Sequence, residues 1–155
     1  MSPGRTPDIG SPAPAFALRS QHGEPVAPIG AGRAVLLVFF PFAFSPICAS
    51  ELAELQESLP EFTRADVDVV AISCDPVYSL RAMADREAIS LTLVSDFWPH
   101  GAVARSYGCF DEQNGAPGRS SFLIDAAGMV RWNLHHGIGE QRPGAAHLAA
   151  LPKLS

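Results

Sequence analysis

The chain has almost no lysine and few cysteines. Lys153 is the only lysine among eleven basic residues, against sixteen acidic ones, and the formal net charge is −5. A nucleic-acid partner would need a basic stripe to neutralise phosphates, so that class of function is excluded. No apolar run is long enough to span a membrane, and residues 1–7 lack the apolar core of a signal peptide. These absences predict a cytoplasmic protein that binds neither nucleic acid nor membrane.

Three cysteines, Cys48, Cys74 and Cys109, are an odd number without paired spacing, and none forms a Cys-x-x-Cys motif. This fits a reducing compartment better than a disulfide framework. Of five histidines only His135 and His136 are adjacent, and side chains of adjacent residues diverge. We therefore expect no metal site and no bound cofactor.

The hydrophobic fraction of 47% and charged fraction of 17% are those of an ordinary globular protein. A length of 155 residues is enough for one sizeable core. No internal repeat or linker divides the chain. The sequence predicts a single domain over residues 1–155, with residues 1–8 as a flexible lead.

Apolar strand-like segments alternate with segments of helical spacing. Leu52, Leu55, Leu59 and Phe62 give the first helix an apolar face, and Pro60 should bend or end it. The other predicted elements are strands at 16–20, 34–40, 67–73 and 91–95, helices at 79–89, 101–107 and from 145 towards 151, a loop at 112–118, and a hairpin of 121–125 with 129–133. This order predicts an α/β fold with a mixed central sheet flanked by helices.

The segment from Pro41 to Glu51 follows the first buried strand and places a cysteine where a helix should begin. Ser45 is a good N-cap, Pro46 suits the first helical position, and Cys48 then occupies the third. Unpaired backbone N–H groups and the helix dipole favour an anion in the first turn. The sequence therefore predicts that Cys48 is a reactive thiolate rather than a buried structural cysteine.

Three chemically relevant side chains should lie at one edge of the sheet. Cys48 and Cys74 each follow a predicted parallel strand, and Arg119 precedes a strand that could run antiparallel to both. Ligands of open α/β sheets bind outside the carboxyl ends of the parallel strands. We therefore expect the functional site at this edge.

Residues Pro41 to Cys48 fit the pattern Pro-x-x-x-Ser/Thr-x-x-Cys, and here the chain resembles the peroxiredoxins. The likeness continues in Gly-x-x-Ala-Pro-x-Phe-x-Leu at 10–18 and in Arg-x-x-Phe-x-Ile-Asp at 119–125. The segment from Ser95 to Val103 is similar to the subgroup called alkyl hydroperoxide reductase E. The resemblance spans roughly residues 10–132 and implies a thioredoxin-like fold.

The resemblance implies a thiol peroxidase that reduces hydrogen peroxide and organic hydroperoxides without metal or flavin. Cys48 would attack the peroxide and become a sulfenic acid, and Ser45 would hydrogen-bond the peroxide oxygens. Arg119 would stabilise the developing charge, and Pro41 would shield the thiolate from water. Glu51 is a supporting residue, since a first-turn carboxylate is also favoured by the helix dipole.

The sulfenic acid must then be reduced, and the sequence does not determine whether a second cysteine of the chain or an outside thiol reduces it. Cys74 is a possible resolving cysteine, although for Cys74 and Cys109 a buried structural thiol is the simpler interpretation. The subgroup resemblance implies a one-cysteine cycle with an outside thiol and a redoxin, of the mycothiol and mycoredoxin or the thioredoxin type. It also implies a homodimer, with Phe97-Trp98-Pro99 as part of the interface.

Two other functions remain as alternatives. A thioredoxin-like redox sensor or binding module would use oxidation of Cys48 as a signal. A thiol–disulfide oxidoreductase would need a second cysteine closely following Cys48, and residues 49–51 contain none.

Overall fold

A computed structural model describes residues 5–155 of the chain. Of the flexible lead predicted at residues 1–8, positions 1–4 lie outside the described residues. The strands of the described part are β1 (Leu18–Ser20), β2 (Pro25–Val26), β3 (Ala34–Phe39), β4 (Val67–Ser73), β5 (Thr92–Ser95), β6 (Phe110–Asp111), β7 (Ala116–Pro117), β8 (Arg119–Ile124) and β9 (Val130–His136). The helices are α1 (Pro46–Arg64), α2 (Val77–Glu87), α3 (Ala102–Ser106) and α4 (Gly144–Ala149), followed by a 3₁₀ turn at Leu151–Leu154.

Seven strands form one mixed sheet in the order β2-β1-β5-β4-β3-β8-β9. Strands β3, β4 and β5 run parallel, while β8 runs antiparallel to β3 and β9 to β8. β6 and β7 form a separate small hairpin. The carboxyl ends of the three parallel strands and the start of β8 therefore meet at one edge, as the sequence predicts.

Side chains of the central strands alternate between two apolar layers, because successive residues of a strand point to opposite faces. In β3, Leu36 and Val38 pack with α1 and α2 on one side, here called the α1 face. Leu37 and Phe39 pack with α3 on the other side, here called the α3 face. Cys48 belongs to the α1 face. Burial on both faces explains why β3 and β4 are nearly continuous apolar runs.

Most predicted elements are confirmed. Strand β4 spans Val67–Ser73 as predicted, and the terminal hairpin is present as β8 and β9. Helix α2 begins at Val77, two residues before the predicted start, because extended Pro76 is its N-cap. The predicted loop at 112–118 contains β7, since Phe110 pairs with Pro117.

The prediction that Pro60 could end the first helix is wrong. Helix α1 continues through Pro60 to Arg64. Pro60 is exposed, while Phe62 in the following turn is fully buried on the α1 face. Burial of a Phe side chain is worth about 2 kcal/mol, comparable to the cost of about 3 kcal/mol for a proline in a helix interior.

No helix of the described residues is long and apolar enough to cross a membrane.

Candidate active site

Cys48 lies at the start of α1, in the position that the sequence predicts. Ser45 is the N-cap with extended backbone, Pro46 is the first helical residue, and Ser45 Oγ accepts a hydrogen bond from Cys48 N at 3.4 Å. The Cys48 side chain is fully buried. Pro41 is buried in the connection between β3 and α1. Strand, loop and cap thus place the thiol among the free backbone N–H groups of the first turn.

A salt bridge joins Glu51 and Arg119 beside the first turn of α1. Arg119, the first residue of β8, donates from Nη1 to Glu51 Oε1 at 2.5 Å and from Nε to the carbonyl of Ile138 at 2.6 Å. Glu51 lies three residues after Cys48, in the second turn of α1 rather than in the first turn as predicted. Residues three apart on a helix are neighbours on one face. The guanidinium of Arg119 is therefore tied to the helix face that carries Cys48. Within residues 5–155 no hydrogen bond joins Arg119 to the Cys48 sulfur.

A second arginine, Arg142, completes the site, and the sequence analysis missed it. Its side chain is buried and binds both carboxylate oxygens of Glu51, with Nε to Oε2 at 3.0 Å and Nη2 to Oε1 at 2.9 Å. Its backbone N also donates to Oε2 at 2.7 Å. One available signal was that Arg142 is the only Lys or Arg in residues 132–152. A buried carboxylate at Glu51 requires such partners.

The two arginines hold Glu51 as a carboxylate. Burial by itself raises the pKa of Glu51, but the hydrogen bonds and charge of Arg142, with the charge of Arg119, outweigh it and lower that pKa below its usual value. Glu51 therefore acts as an anion that fixes the orientation of both guanidinium groups.

The network extends to the C-terminal helix through Ser121 and His147. Arg142 Nη1 donates to Ser121 Oγ at 3.0 Å, and Ser121 Oγ lies 2.8 Å from His147 Nε2. His147 is buried on α4, and its pKa is lowered to about 4 by burial and then by the charge of Arg142. The imidazole is therefore neutral at physiological pH, and its Nε2 shares a hydrogen bond with the Ser121 hydroxyl.

Cys74 and Cys109 both lie close to α3. Cys74 directly follows β4, beside the backbone N–H of Gly101, the N-cap of α3, and near Asp96. Burial, with the charges of Asp96 and Asp75, raises the pKa of Cys74 to about 12. Burial likewise raises the pKa of Cys109, which lies beside Ser120 and packs on the α3 face. Cys48 packs on the α1 face, and the role of Cys74 as a resolving residue stays a prediction.

Exposed aromatic side chains follow the parallel strands β4 and β5, at the start of α2 and in the loop after β5. Tyr78 is 87% exposed and Trp98 80%, and they line a groove of about 840 Å³ together with Phe97. The groove is lined by neither Cys48 nor Arg119. Among the described residues no group of three or more His, Cys, Asp or Glu side chains could hold a metal ion.

Comparisons with known proteins agree with this geometry. The model of the AhpC/TSA family matches residues 9–133. The chain is 40% identical over 150 residues to alkyl hydroperoxide reductase E of Mycobacterium tuberculosis, covering 96% of this chain and 98% of that protein. It is 34% identical over 137 residues to peroxiredoxin Bcp of Escherichia coli, covering 84% and 85%.

A solved structure shows the same fold. The crystal structure of Enterococcus faecalis AhpC superposes with a TM-score of 0.87 at 24% identity, covering 95% of this chain and 92% of that chain. The predicted thioredoxin-like fold is confirmed. A fold does not by itself define an activity, whereas the family match and the two relatives do so together. The chain therefore belongs to the AhpC/TSA family of peroxiredoxins, which are thiol-dependent peroxidases.

Proposed function

We propose that Cys48 is the peroxidatic cysteine of this peroxidase and that it reduces hydrogen peroxide and organic hydroperoxides. The observation that carries the proposal is that Cys48 occupies the first turn of α1 while Arg119 is bound to Glu51, three residues further along the same helix. A thiolate, a fixed cation and unpaired backbone N–H groups are the parts that cleavage of an O–O bond requires.

In the proposed reaction the Cys48 thiolate attacks one peroxide oxygen. A sulfur–oxygen bond forms, the O–O bond breaks, and the second oxygen leaves as an alkoxide or hydroxide that takes up a proton to give alcohol or water. Sulfur is oxidised from thiolate to sulfenic acid, and the peroxide is reduced by two electrons.

The neighbouring residues have separate roles in this proposal. Arg119 stabilises the negative charge that develops on the leaving oxygen, held for this purpose by Glu51 and the Ile138 carbonyl. Ser45 caps the helix and orients the peroxide through its hydroxyl. Pro41 has no N–H and is buried, and it excludes water from the thiolate. Arg142 supports Glu51 rather than the peroxide.

The proposal is tested by replacing each cysteine in turn. We expect Cys48→Ser to abolish peroxide consumption, because serine is not nucleophilic towards peroxide. Cys74→Ser and Cys109→Ser should keep the first oxidation step fast. Rapid-mixing fluorescence with Trp98 and Trp132 as reporters measures that step. Rapid oxidation retained in Cys48→Ser would remove the proposal.

For the reductive half, we propose a one-cysteine cycle. An outside thiol attacks the sulfenic sulfur of Cys48, water leaves, and a redoxin then reduces the mixed disulfide. Mycothiol with mycoredoxin is the favoured pair, with a thioredoxin-type system as the alternative. The support is the 40% identity to alkyl hydroperoxide reductase E and the position of Cys74 beside Gly101, at the start of α3. The cytoplasmic location expected from the cysteine content stays a prediction.

We also propose a homodimer that buries the exposed aromatic residues at the active-site edge of the sheet. Tyr78, in the first turn of α2, and Phe97 and Trp98, in the loop after β5, follow the parallel strands, and aromatic residues are enriched at interfaces. Sedimentation at micromolar concentration should give twice the chain mass of 16.4 kDa, and Trp98→Ser should shift the mass towards the monomer. A monomer mass for the unmodified chain would contradict this proposal.

A further inference from the structure

The connection between β3 and α1, which delivers Cys48, has an unfavourable backbone conformation at Phe44. Its φ angle is +69°, in the left-handed region that non-glycine residues rarely adopt. Such a conformation is costly for a residue with a side chain and persists only where the surrounding structure enforces it. Phe44 directly precedes Ser45, the N-cap of α1, so its conformation sets where the helix begins.

Two side chains from other elements hold this connection by its backbone. Asp75 Oδ2 accepts a hydrogen bond from Ala43 N at 2.8 Å. Met83 Sδ accepts from Phe44 N at 3.4 Å. The bond to Asp75 is the shorter of the two and has an ionisable oxygen acceptor, and hydrogen bonds to charged groups are roughly twice as strong as those between neutral groups.

Asp75 is itself fixed by the ends of two parallel strands. Ser73 Oγ donates to the same oxygen, Oδ2, at 2.7 Å and also accepts from Asp75 N at 3.2 Å. The carbonyl of Asp75 accepts from Ser95 Oγ at 2.6 Å. Strands β4 and β5 are rigid parts of the sheet, so the carboxylate transmits their position to Ala43.

We propose that Asp75 is a positioning residue for the peroxidase reaction, acting on Cys48 through Ala43, Phe44 and the Ser45 cap. This inference rests on Cys48 being the peroxidatic cysteine. Asp75 keeps the first turn of α1 placed so that its N–H groups, Ser45 and the sulfur act on one peroxide. A displacement of about 1 Å in such a site can cost roughly 100-fold in rate.

A positioning role and a purely electrostatic role of Asp75 predict opposite changes in the rate of peroxide reduction when Asp75 is replaced. If only the negative charge of Asp75 mattered, removing it would favour the Cys48 thiolate and speed up peroxide reduction. If the hydrogen bond to Ala43 N matters, removing it slows the reaction. Asp75→Asn separates the two, because the amide oxygen can still accept from Ala43 and Ser73 without the charge.

The experiment compares two reactions of Cys48 in Asp75→Ala, Asp75→Asn and Ser73→Ala. The rate of oxidation by hydrogen peroxide is measured by rapid-mixing fluorescence, and the rate of alkylation by iodoacetamide by mass spectrometry of the Cys48 peptide. Alkylation needs only an accessible thiolate, whereas peroxide attack also needs the positioned donors. Asp68→Asn is the matched control, since Asp68 lies on β4 and, among the described residues, its carboxylate forms hydrogen bonds only with exposed Arg33.

We expect Asp75→Ala to slow peroxide oxidation by roughly 10- to 100-fold while alkylation changes less than about threefold. Asp75→Asn should recover most of the rate, Ser73→Ala should cause a smaller loss, and Asp68→Asn should cause none. If Asp75→Ala does not fold, normal peroxide oxidation in Ser73→Ala overturns the inference and slowing supports it.

Faster oxidation in Asp75→Asn, an unchanged rate in Asp75→Ala, or a parallel loss of both reactions would each overturn the inference. Failure of the proposed function is distinct, because it would appear as peroxide oxidation that survives Cys48→Ser.

Discussion

Arg142 binds the carboxylate of Glu51 through both its side chain and its backbone. The distances are 3.0 Å from Nε to Oε2, 2.9 Å from Nη2 to Oε1 and 2.7 Å from the backbone N to Oε2. Both side chains are buried, at 1% and 4% exposure. This pair joins the segment before α4 to the helix that carries Cys48, and it presents Glu51 to Arg119.

Replacing Arg142 should destabilise the protein strongly. Arg142→Met would leave Glu51 buried with Arg119 as its remaining cation among the described residues, and breaking such a pair costs about 3–5 kcal/mol. Urea unfolding measures the free energy. Arg131→Met, at a half-exposed arginine 3.8 Å from Asp125, is the control and should cost less than about 1 kcal/mol. Equal losses of unfolding free energy in Arg142→Met and Arg131→Met would show that the buried pair stabilises the protein no more than the exposed one.

Arg119→Met should slow peroxide reduction by roughly 100- to 1000-fold, the cost of removing one donor to a developing anion. The reason is the loss of the cation that Glu51 and the Ile138 carbonyl hold beside the first turn of α1. Rapid-mixing fluorescence measures the rate, and circular dichroism checks the fold. Arg119→Lys keeps the charge but loses the two-nitrogen fork and should be intermediate. A normal rate in Arg119→Met would refute its proposed role.

The stability of the protein should decrease with acidification partly through His147. Its folded pKa is about 4 against an ordinary value of 6.5, so between these values the unfolded chain binds a proton that the folded chain does not. The stabilising contribution is therefore complete above about pH 6.5 and is lost as the pH falls towards 4. Its full size is about 3 kcal/mol.

Urea unfolding of the unmodified chain and of His147→Gln at pH values from 4 to 7 tests this. The difference in unfolding free energy between the two proteins should shrink as the pH falls. His22→Gln, at an exposed histidine, is the control for replacing an imidazole by an amide. An identical pH dependence in His147→Gln and the unmodified chain would contradict the assignment.

Treatment with one equivalent of peroxide should give a Cys48 sulfenic acid rather than a Cys48–Cys74 disulfide. A disulfide needs Cα atoms closer than about 7 Å and Cβ atoms that point together, whereas Cys48 packs on the α1 face and Cys74 lies beside Gly101 at the start of α3. The raised pKa of Cys74, about 12, also keeps it as the less reactive thiol. Trapping with dimedone and non-reducing peptide mapping distinguishes the products. A Cys48–Cys74 disulfide in high yield without added thiol would contradict the one-cysteine cycle.

Local signals were enough to predict the position of Cys48. Ser45 and Pro46 define the start of α1 by capping and by a fixed φ angle, and these effects act within a few residues. Strand β4 was predicted at Val67–Ser73 because a doubly buried parallel strand is a continuous apolar run. Helix boundaries were predicted less well, because α2 begins at Val77 and α1 continues through Pro60, where burial of Phe62 offsets much of the local cost.

Patterns along the chain were enough to predict the α/β order, the placement of Cys48 at a helix start and the sheet edge where Arg119 lies. The surroundings of these residues depend on contacts between distant segments. Arg142 meets Glu51 across 91 residues of chain, and Asp75 meets Ala43 across 32. The physical reason is that capping and periodicity depend on neighbours along the chain. A buried ion pair or a hydrogen bond to a loop depends on side chains that come together only when the sheet and helices pack.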